Sequence, residues 1–214
     1  DPHGAMLFLN LVIAFIPAAV LGLLLNKTIK KHLFFPAPVI TALFVGGLFM
    51  LAIDAWRRGR FGLRQHKDLE VVDVTPLQAL VIGLFQAIAM IPGTSRSMMS
   101  ITGGCLVGLR PAAAAEFSFL LGLPTLGAAC LYELYKNFKE AKETHSPNVF
   151  QALGGLNATI GIVVAALSAA LDVRWLVGFL NRRGLAPFGW YRLALSLVLI
   201  VLIWRGVLTI TPPT

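Results

Sequence analysis

Five stretches of the chain, at about 7–25, 37–56, 112–135, 149–171 and 190–208, are almost entirely apolar. Each approaches or exceeds the roughly 20 residues a helix needs to cross about 30 Å of hydrocarbon. Backbone amides in lipid have to be satisfied within their own segment, so each stretch is predicted to be a helix. The fold class that follows is an all-α polytopic integral membrane protein with about five transmembrane helices. Composition agrees: 57% of the 214 residues are hydrophobic and 13% charged, against about 25% charged in a soluble domain, too few to cover a water-facing surface. The formal charge of +8 raises nucleic acid as a partner. However, the basic residues lie in short connections between spans, where membrane topology is decided, so membrane lipids and no nucleic acid are expected. The first stretch lacks a basic front and a small-residue cleavage site and is followed by further spans, so it is not read as a cleaved secretory signal. Cys105 and Cys130 fall inside apolar runs and are read as small buried hydrophobes, with neither a disulfide nor a metal site.

The opening DPHGAM, residues 1–6, is read as an expression scar or linker. Residues 7–210 form a single membrane domain, and 211–214 a tail. Pro17 is expected to kink the first span. AWRRGRFGLRQHKDLEVVDVTP reads as a surface loop, with Thr75-Pro76 opening the next helix. YKNFKEAKETHSPN and RWLVGFLNRRG are the other polar connections. Residues 77–91 and 97–109 are apolar but each too short to span, and PGTSRS joins them. Two half-length helices about a Pro-Gly turn predict a re-entrant hairpin over about 77–109, entering and leaving on one side with its tip towards mid-membrane.

With a hairpin there, one side collects Arg57, Arg58, Arg60, Arg64, Lys67, Arg110, Arg174, Arg182 and Arg183. The other collects Lys27, Lys30, Lys31, Lys136, Lys139 and Lys142. The richer side is expected to be cytoplasmic, so the hairpin rises from the cytoplasm and the carboxyl terminus lies outside. Gly104 and Gly108, together with Gly46, Gly47, Gly154 and Gly155, are read as helix-packing residues.

An arginine near the bilayer centre costs about 2.5–3.5 kcal/mol even on lenient insertion scales and normally has a partner. Yet the nineteen residues after Arg96 contain no carboxylate. Its partner is expected elsewhere in the fold or in a ligand, and its neighbours favour a phosphate. Pro92-Gly93 permits a sharp turn, with Thr94 beside it, and Ser95 and Ser97 bring hydroxyls. A helix starting near Ser97 would present unpaired N–H groups and the positive end of its dipole. The Arg96 fork suits two phosphate oxygens, and Ser100 lies one turn along the same helix. The plainer alternative is a serine helix cap with a snorkelling arginine. Glu116 is read as a partner for Arg110 or, if deeper, as a neutraliser of Arg96 when no substrate is bound.

The segment GLFQAIAMIPGTSRSMMSITGG resembles the second signature of the bacitracin-resistance type undecaprenyl-diphosphate phosphatases, close to Q-x-x-x-x-x-P-G-x-S-R-S-x-x-[ST]. IAFIPAAVLGLLL, ALFVGGLFML and AAEFSFLLGLPTLGAA are also similar to family sequence, and the resemblance extends over about residues 9–208. It implies hydrolysis of a C55 isoprenyl diphosphate to the monophosphate, recycling the carrier for peptidoglycan synthesis in the bacterial inner membrane. It also implies an inverted-repeat architecture whose active site opens to the periplasm. On this resemblance Arg96 binds and neutralises the diphosphate and Ser95 and Ser97 add hydrogen bonds, the catalytic set. Gly93, Thr94, Ser100 and Gln86 line the substrate, Gln86 matching the signature's glutamine as a lining or packing residue. Met98 and Met99 depart from the Gly-Ala of some members.

The family's first signature, an E-x-x-x-E helix leading into P-x-S-S-T-G-H, does not occur in this chain. It supplies the acidic pair for a divalent cation, Mg or Ca, and the serine or histidine proposed as nucleophile. None of His3, His32, His66 and His145 sits in such a motif. The resemblance therefore implies a carboxyl-terminal two-thirds that carries half the active site and no metal ligands. A homodimer stays open. The rivals are a secondary transporter or flippase, which also aims broken helices at anions near the midplane, and a scaffold whose basic loops hold anionic lipid.

Overall fold

The computed structural model describes residues 2–33, 35–59, 68–144 and 146–206. In chain order the described helices are α1 (Pro2–Leu33), α2 (Pro36–Arg57), α3 (Pro76–Ile88), α4 (Arg96–Leu106), α5 (Pro111–Thr144), α6 (Val149–Leu153), α7 (Gly155–Arg183) and α8 (Ala186–Trp204). Five of them, α1, α2, α5, α7 and α8, are long and apolar enough to cross a membrane, and they correspond to the five expected spans. The protein is an all-α, multi-pass membrane protein.

Several boundaries differ from the sequence reading. α1 begins at Pro2, so the residues set apart at the start are continuous with the first helix, which runs on through Pro17. α5 extends through most of YKNFKEAKETHSPN to Thr144. Lys136 pairs with Glu140 and Lys139 with Glu143 there, an i,i+4 pattern that supports a helix beyond lipid. RWLVGFLNRR belongs to α7 rather than to a connection, and the chain turns only at Gly184, at φ +71°. The fourth span starts at Gly155, because α6 stops at Gly154 with φ +78°. His66, His145, Arg60, Arg64, Lys67 and the 211–214 tail lie outside the described residues, as do the side chains of His3, Lys27, Lys30, Lys31 and His32.

The expected hairpin is α3 and α4. Thr75 and Gln78 cap the start of α3 reciprocally, with Pro76 at the first helical position where its missing N–H costs nothing. At 13 and 11 residues the two arms are about 20 and 16 Å long, short of the hydrocarbon thickness. Their outer ends are tied together by Gln78 Nε2, which donates to Val107 O at 3.0 Å, and Leu69 ahead of α3 adds two bonds, its N–H to Gly108 O at 3.0 Å and Arg110 N–H to its O at 3.2 Å. The hairpin thus leaves on the side where it entered.

Arginines gather at that base. Arg57, the last residue of α2, donates to Cys105 O at 3.2 Å and Leu109 O at 2.8 Å, satisfying carbonyls at the end of α4, and pairs with Asp68 at 2.8 Å. Arg58 pairs with Asp54 and donates to Arg183 O, and Asp54 accepts from Leu185 N–H. Arg110 grips Glu70 through two bonds of 2.6 and 2.8 Å. Glu116 makes no ion pair within 4 Å of either arginine considered for it. Glu70 is the direct partner of Arg110, and Glu116 acts on that arginine only through longer-range attraction.

The core surrounds the hairpin, with Ile82, Leu109, Phe117 and Leu121 fully buried. α1 lies along α3 in the same direction. Asn10 donates to Val74 O at the base, and Gly22 sits opposite Met90 near the tip. A Cβ on Gly83 would fall 2.4 Å from Ala14 O, so α1 and α3 touch backbone to backbone. α2 packs antiparallel to α8 through Gly47 and Gly189. At Gly154 and Gly155, by contrast, a Cβ would meet nothing within 4 Å among the described residues. Cys105 is in the core, whereas Cys130 is exposed on α5. α7 buries only Leu180 and exposes Leu156, Val164, Leu167 and Leu171, an apolar surface that lipid or protein must cover.

Candidate functional site

The turn between α3 and α4 reaches far along the bundle. Gly93, at φ +94°, lies against Val39 in the first turn of α2, and a Cβ there would meet Val39 O at 2.4 Å. Since Arg57 at the other end of α2 marks the hairpin base, the hairpin spans nearly the whole of α2. Its tip lies past the midpoint of that helix.

Local chemistry shapes the turn. Thr94 is buried, and its hydroxyl donates to Ile91 O at 2.6 Å, closing the loop after α3. Thr94 is thus occupied in holding the turn. Ser95 stands at φ +68° and ψ 120°, a region that non-glycine residues rarely enter, and such positions cluster at functional sites. From there its side chain caps α4, accepting from Met98 N–H at 3.4 Å. The N–H groups at the very start of α4 have no intrahelical acceptor, and the helix dipole adds partial positive charge at the same place.

Arg96 is half-buried against α3 and α5. Its Nη1 lies 3.4 Å from Gln86 Oε1 and 3.4 Å from Ser118 O. Gly122 makes room for the guanidinium, since a Cβ there would be 2.9 Å from Nη2. No carboxylate among the described residues pairs with Arg96. The sequence demanded a partner for this cation, and among the described residues it meets only neutral acceptors. The positive charge stays uncompensated.

Gln86 is 2% exposed and meets Arg96, so in this structure it is a supporting residue. Ser100 is equally enclosed: its hydroxyl contacts Ser118 Oγ at 2.6 Å and donates to Arg96 O at 2.9 Å. Ser95 and Ser97 are on a different side of the turn from the Arg96 guanidinium. They line a cavity of about 250 Å³ between α4, α7 and α8, whose walls include Met98, Leu180, Phe188 and Arg192. The turn therefore carries two polar flanks, Arg96 with Gln86 on one and Ser95 with Ser97 on the other, and α4 begins between them.

Sequence reasoning did not single out Ser118, Gly122, Thr125 or Arg192. The first three are ordinary helix-surface types in the third span, and only tertiary packing turns them to the arginine. Arg192 did carry a signal: it is the one charged residue in the apolar stretch from Ala186 to Trp204.

The divalent cation implied by the resemblance does not fit these residues. Among the described residues no three His, Cys, Asp or Glu side chains converge. The donors of the turn are hydroxyls, N–H groups and a guanidinium, which suit an anion.

Residues 1–198 match the bacitracin resistance protein BacA family. The chain is 47% identical over 197 residues to the undecaprenyl-diphosphatase of Sorangium cellulosum, covering 92% of this chain and 61% of that protein. It is 45% identical over 209 residues to undecaprenyl-diphosphatase 2 of Rhodospirillum rubrum, covering 98% and 71%. To the undecaprenyl-diphosphatase of Acidovorax ebreus it is 43% identical over 201 residues, covering 94% and 68%. The chain thus spans 61 to 71% of the length of these three relatives.

Proposed function

The chain belongs to the bacitracin resistance protein BacA family, and from that membership we propose that it is the diphosphate-binding part of an undecaprenyl-diphosphatase. The protein containing it would hydrolyse undecaprenyl diphosphate to the monophosphate and phosphate, returning the lipid carrier to cell-wall synthesis. The observation that carries the reading is the uncompensated Arg96 at the start of α4, held by neutral acceptors. A carboxylate partner would compete with the substrate for the guanidinium, whereas Gln86 and Ser118 O orient it and leave its charge for the ligand.

Phosphoryl transfer depends chiefly on positioning and on neutralising charge over the phosphate oxygens. Here the Arg96 fork on one flank of the turn, the hydroxyls of Ser95 and Ser97 on the other and the α4 N–H groups between them are offered to the two phosphate groups of the diphosphate. In the family such charge stabilisation is joined to an activated nucleophile and to a divalent cation, and for the cation the described residues offer no cluster of ligands. The apolar helices around the turn accommodate the isoprenoid chain.

The proposed location is the bacterial inner membrane with the site opening to the periplasm. Two features support this: the described arginines Arg57, Arg58, Arg110 and Arg183 cluster at the hairpin base, and the turn lies near the opposite end of α2. A positively charged base is cytoplasmic by the loop-charge rule.

The test is phosphate release from C15 and C55 isoprenyl diphosphates by the full-length protein in liposomes, with Arg96→Ala alongside. Release that falls by about ten- to a hundredfold in the variant, as expected for loss of a charge-assisted contact, supports the reading. Movement of intact labelled lipid between compartments without phosphate release would overturn it in favour of a carrier.

A further inference from the structure

Arg192 of α8 is a second enclosed arginine at the hairpin tip, only 8% exposed. Like Arg96 it has no carboxylate partner among the described residues. Its Nη2 donates to the Gly93 carbonyl in the turn and lies 3.4 Å from the Ala42 carbonyl in α2. Its Nε is buried with no hydrogen-bond partner. A buried charge with an unmet donor is expensive, and an apolar side chain of similar volume often serves stability as well or better. A role in packing α8 on α2 therefore does not account for it. Its stem does pack there, with Cβ 3.3 Å from where a Cβ on Gly47 would lie, beside the Gly47–Gly189 contact, but an apolar chain would fill that space without the unmet donor.

What the guanidinium does fix is the Gly93 carbonyl. Two residues later the chain takes the positive φ of Ser95, and this conformation sends Arg96 to one flank of the turn and leaves Ser95 and Ser97 on the cavity that Arg192 also lines. Within the turn Gly93 has no side chain to anchor it, only its backbone touching Val39, and the Thr94 hydroxyl anchors the side that faces α3. A bond from α8 to Gly93 and α2 supplies the missing restraint from the opposite side.

We propose that Arg192 is a positioning residue, a clamp from α8 that holds the Gly93 carbonyl and thereby sets the turn that presents Ser95, Arg96 and Ser97 to the anionic substrate. The proposal rests on the diphosphatase reading for its kinetic consequence but not for its structural one. Arg192→Met keeps the length and apolar bulk of the side chain and removes both donors and charge. Arg192→Lys keeps the charge and reaches one carbonyl rather than two.

The experiment uses the full-length protein in detergent or nanodiscs and combines amide hydrogen exchange over residues 93–98 with steady-state phosphate release from a C15 isoprenyl diphosphate. The Met variant is expected to exchange about tenfold faster over 93–98, with unchanged exchange at the hairpin base. Its KM is expected to rise about tenfold while kcat changes less, and the Lys variant is expected to lie between. Exchange and KM at wild-type values in the Met variant overturn the proposal, as does faster exchange with KM unchanged. If the Met variant does not fold, the Lys variant decides, and wild-type values for both readouts in it overturn the clamp. Should the unsubstituted protein release no phosphate, the diphosphatase reading falls, and exchange over 93–98 alone decides whether Arg192 holds the turn.

Discussion

Gln86 presents its carbonyl oxygen to Arg96. The Thr125 hydroxyl donates to Leu121 O at 2.7 Å, so its proton is committed and it can only accept from Gln86 Nε2, at 3.2 Å. The amide is thereby oriented with Oε1 towards Nη1 of Arg96. A threonine one turn beyond Leu121 thus decides what an arginine twenty-nine residues earlier meets, and the acceptor it meets carries no charge.

Replacing that neutral acceptor with a charged one should be worse than removing it. Gln86→Leu takes away one contact to a cation, worth about 1.5–3 kcal/mol, and is expected to lower affinity for an isoprenyl diphosphate by about ten- to a hundredfold. Gln86→Glu would pair with Arg96 and occupy the charge the substrate needs, so a larger loss is expected. Equilibrium binding of the diphosphate by both variants checks this, and Gln86→Glu binding as tightly as the unsubstituted protein would refute the neutral-cradle argument.

Orientation through Thr125 has its own signature. Thr125→Val preserves shape and removes the hydroxyl, leaving the Gln86 amide free to turn over. Affinity is expected to fall severalfold, about 1 kcal/mol for one neutral hydrogen bond. Thr125→Ser should restore most of it. Comparing KM for the pair, with folded yield as a control, separates orientation from packing.

Gly122 tests where the guanidinium sits. Gly122→Ala would place a methyl 2.9 Å from Nη2 of Arg96, and the flexible arginine tip can yield where backbone could not. Folding is expected to survive while KM rises. Gly127→Ala, five residues on in α5, meets nothing within 4 Å and should leave KM unchanged while stabilising the helix by up to about 1 kcal/mol. Gly83→Ala differs from both, because its neighbours are the Ala14 backbone at 2.4 and 2.8 Å. It should part α1 from α3 and cost about 1–3 kcal/mol, visible as lost folded yield.

The hairpin base carries a pH dependence. The hydrogen bonds from Arg110 hold the Glu70 carboxyl below its ordinary value. A depressed carboxylate contributes stability that is fully present above its unfolded pKa, about 4.3, and is lost as pH falls through the lower folded value. Thermal midpoints should therefore fall more steeply below about pH 4 in the unsubstituted protein than in Glu70→Gln, which has no charge to lose. The step is expected to be small, because the pair is exposed and screened. Parallel curves for the two proteins would show that the pair does not tie the base.

Much of the architecture was legible in the residues. Five apolar runs dictate five helices because lipid offers the backbone no other partner. Pro76 after Thr75, and the short apolar segments around PGTSRS, gave the hairpin and its arms. The polar segments misled where charge at i,i+4 spacing prolonged α5, and where RWLVGFLNRR continued α7 although its arginines suggested a connection. Hydropathy marks the limits of the lipid-embedded part, and a helix does not have to stop there.

The sequence alone determined that the chain lies in a membrane, that 92–97 holds a turn opening a helix, and that Arg96 stands there without a nearby acid. These are properties of spacing and composition along one strand of chain. Tertiary structure alone decided what surrounds the charge: Gln86 turned by Thr125, the space at Gly122, and Arg192 reaching Gly93 from ninety-nine residues away. A side chain's partners are set by how helices pack and rotate against one another, and short-range sequence carries no measure of that.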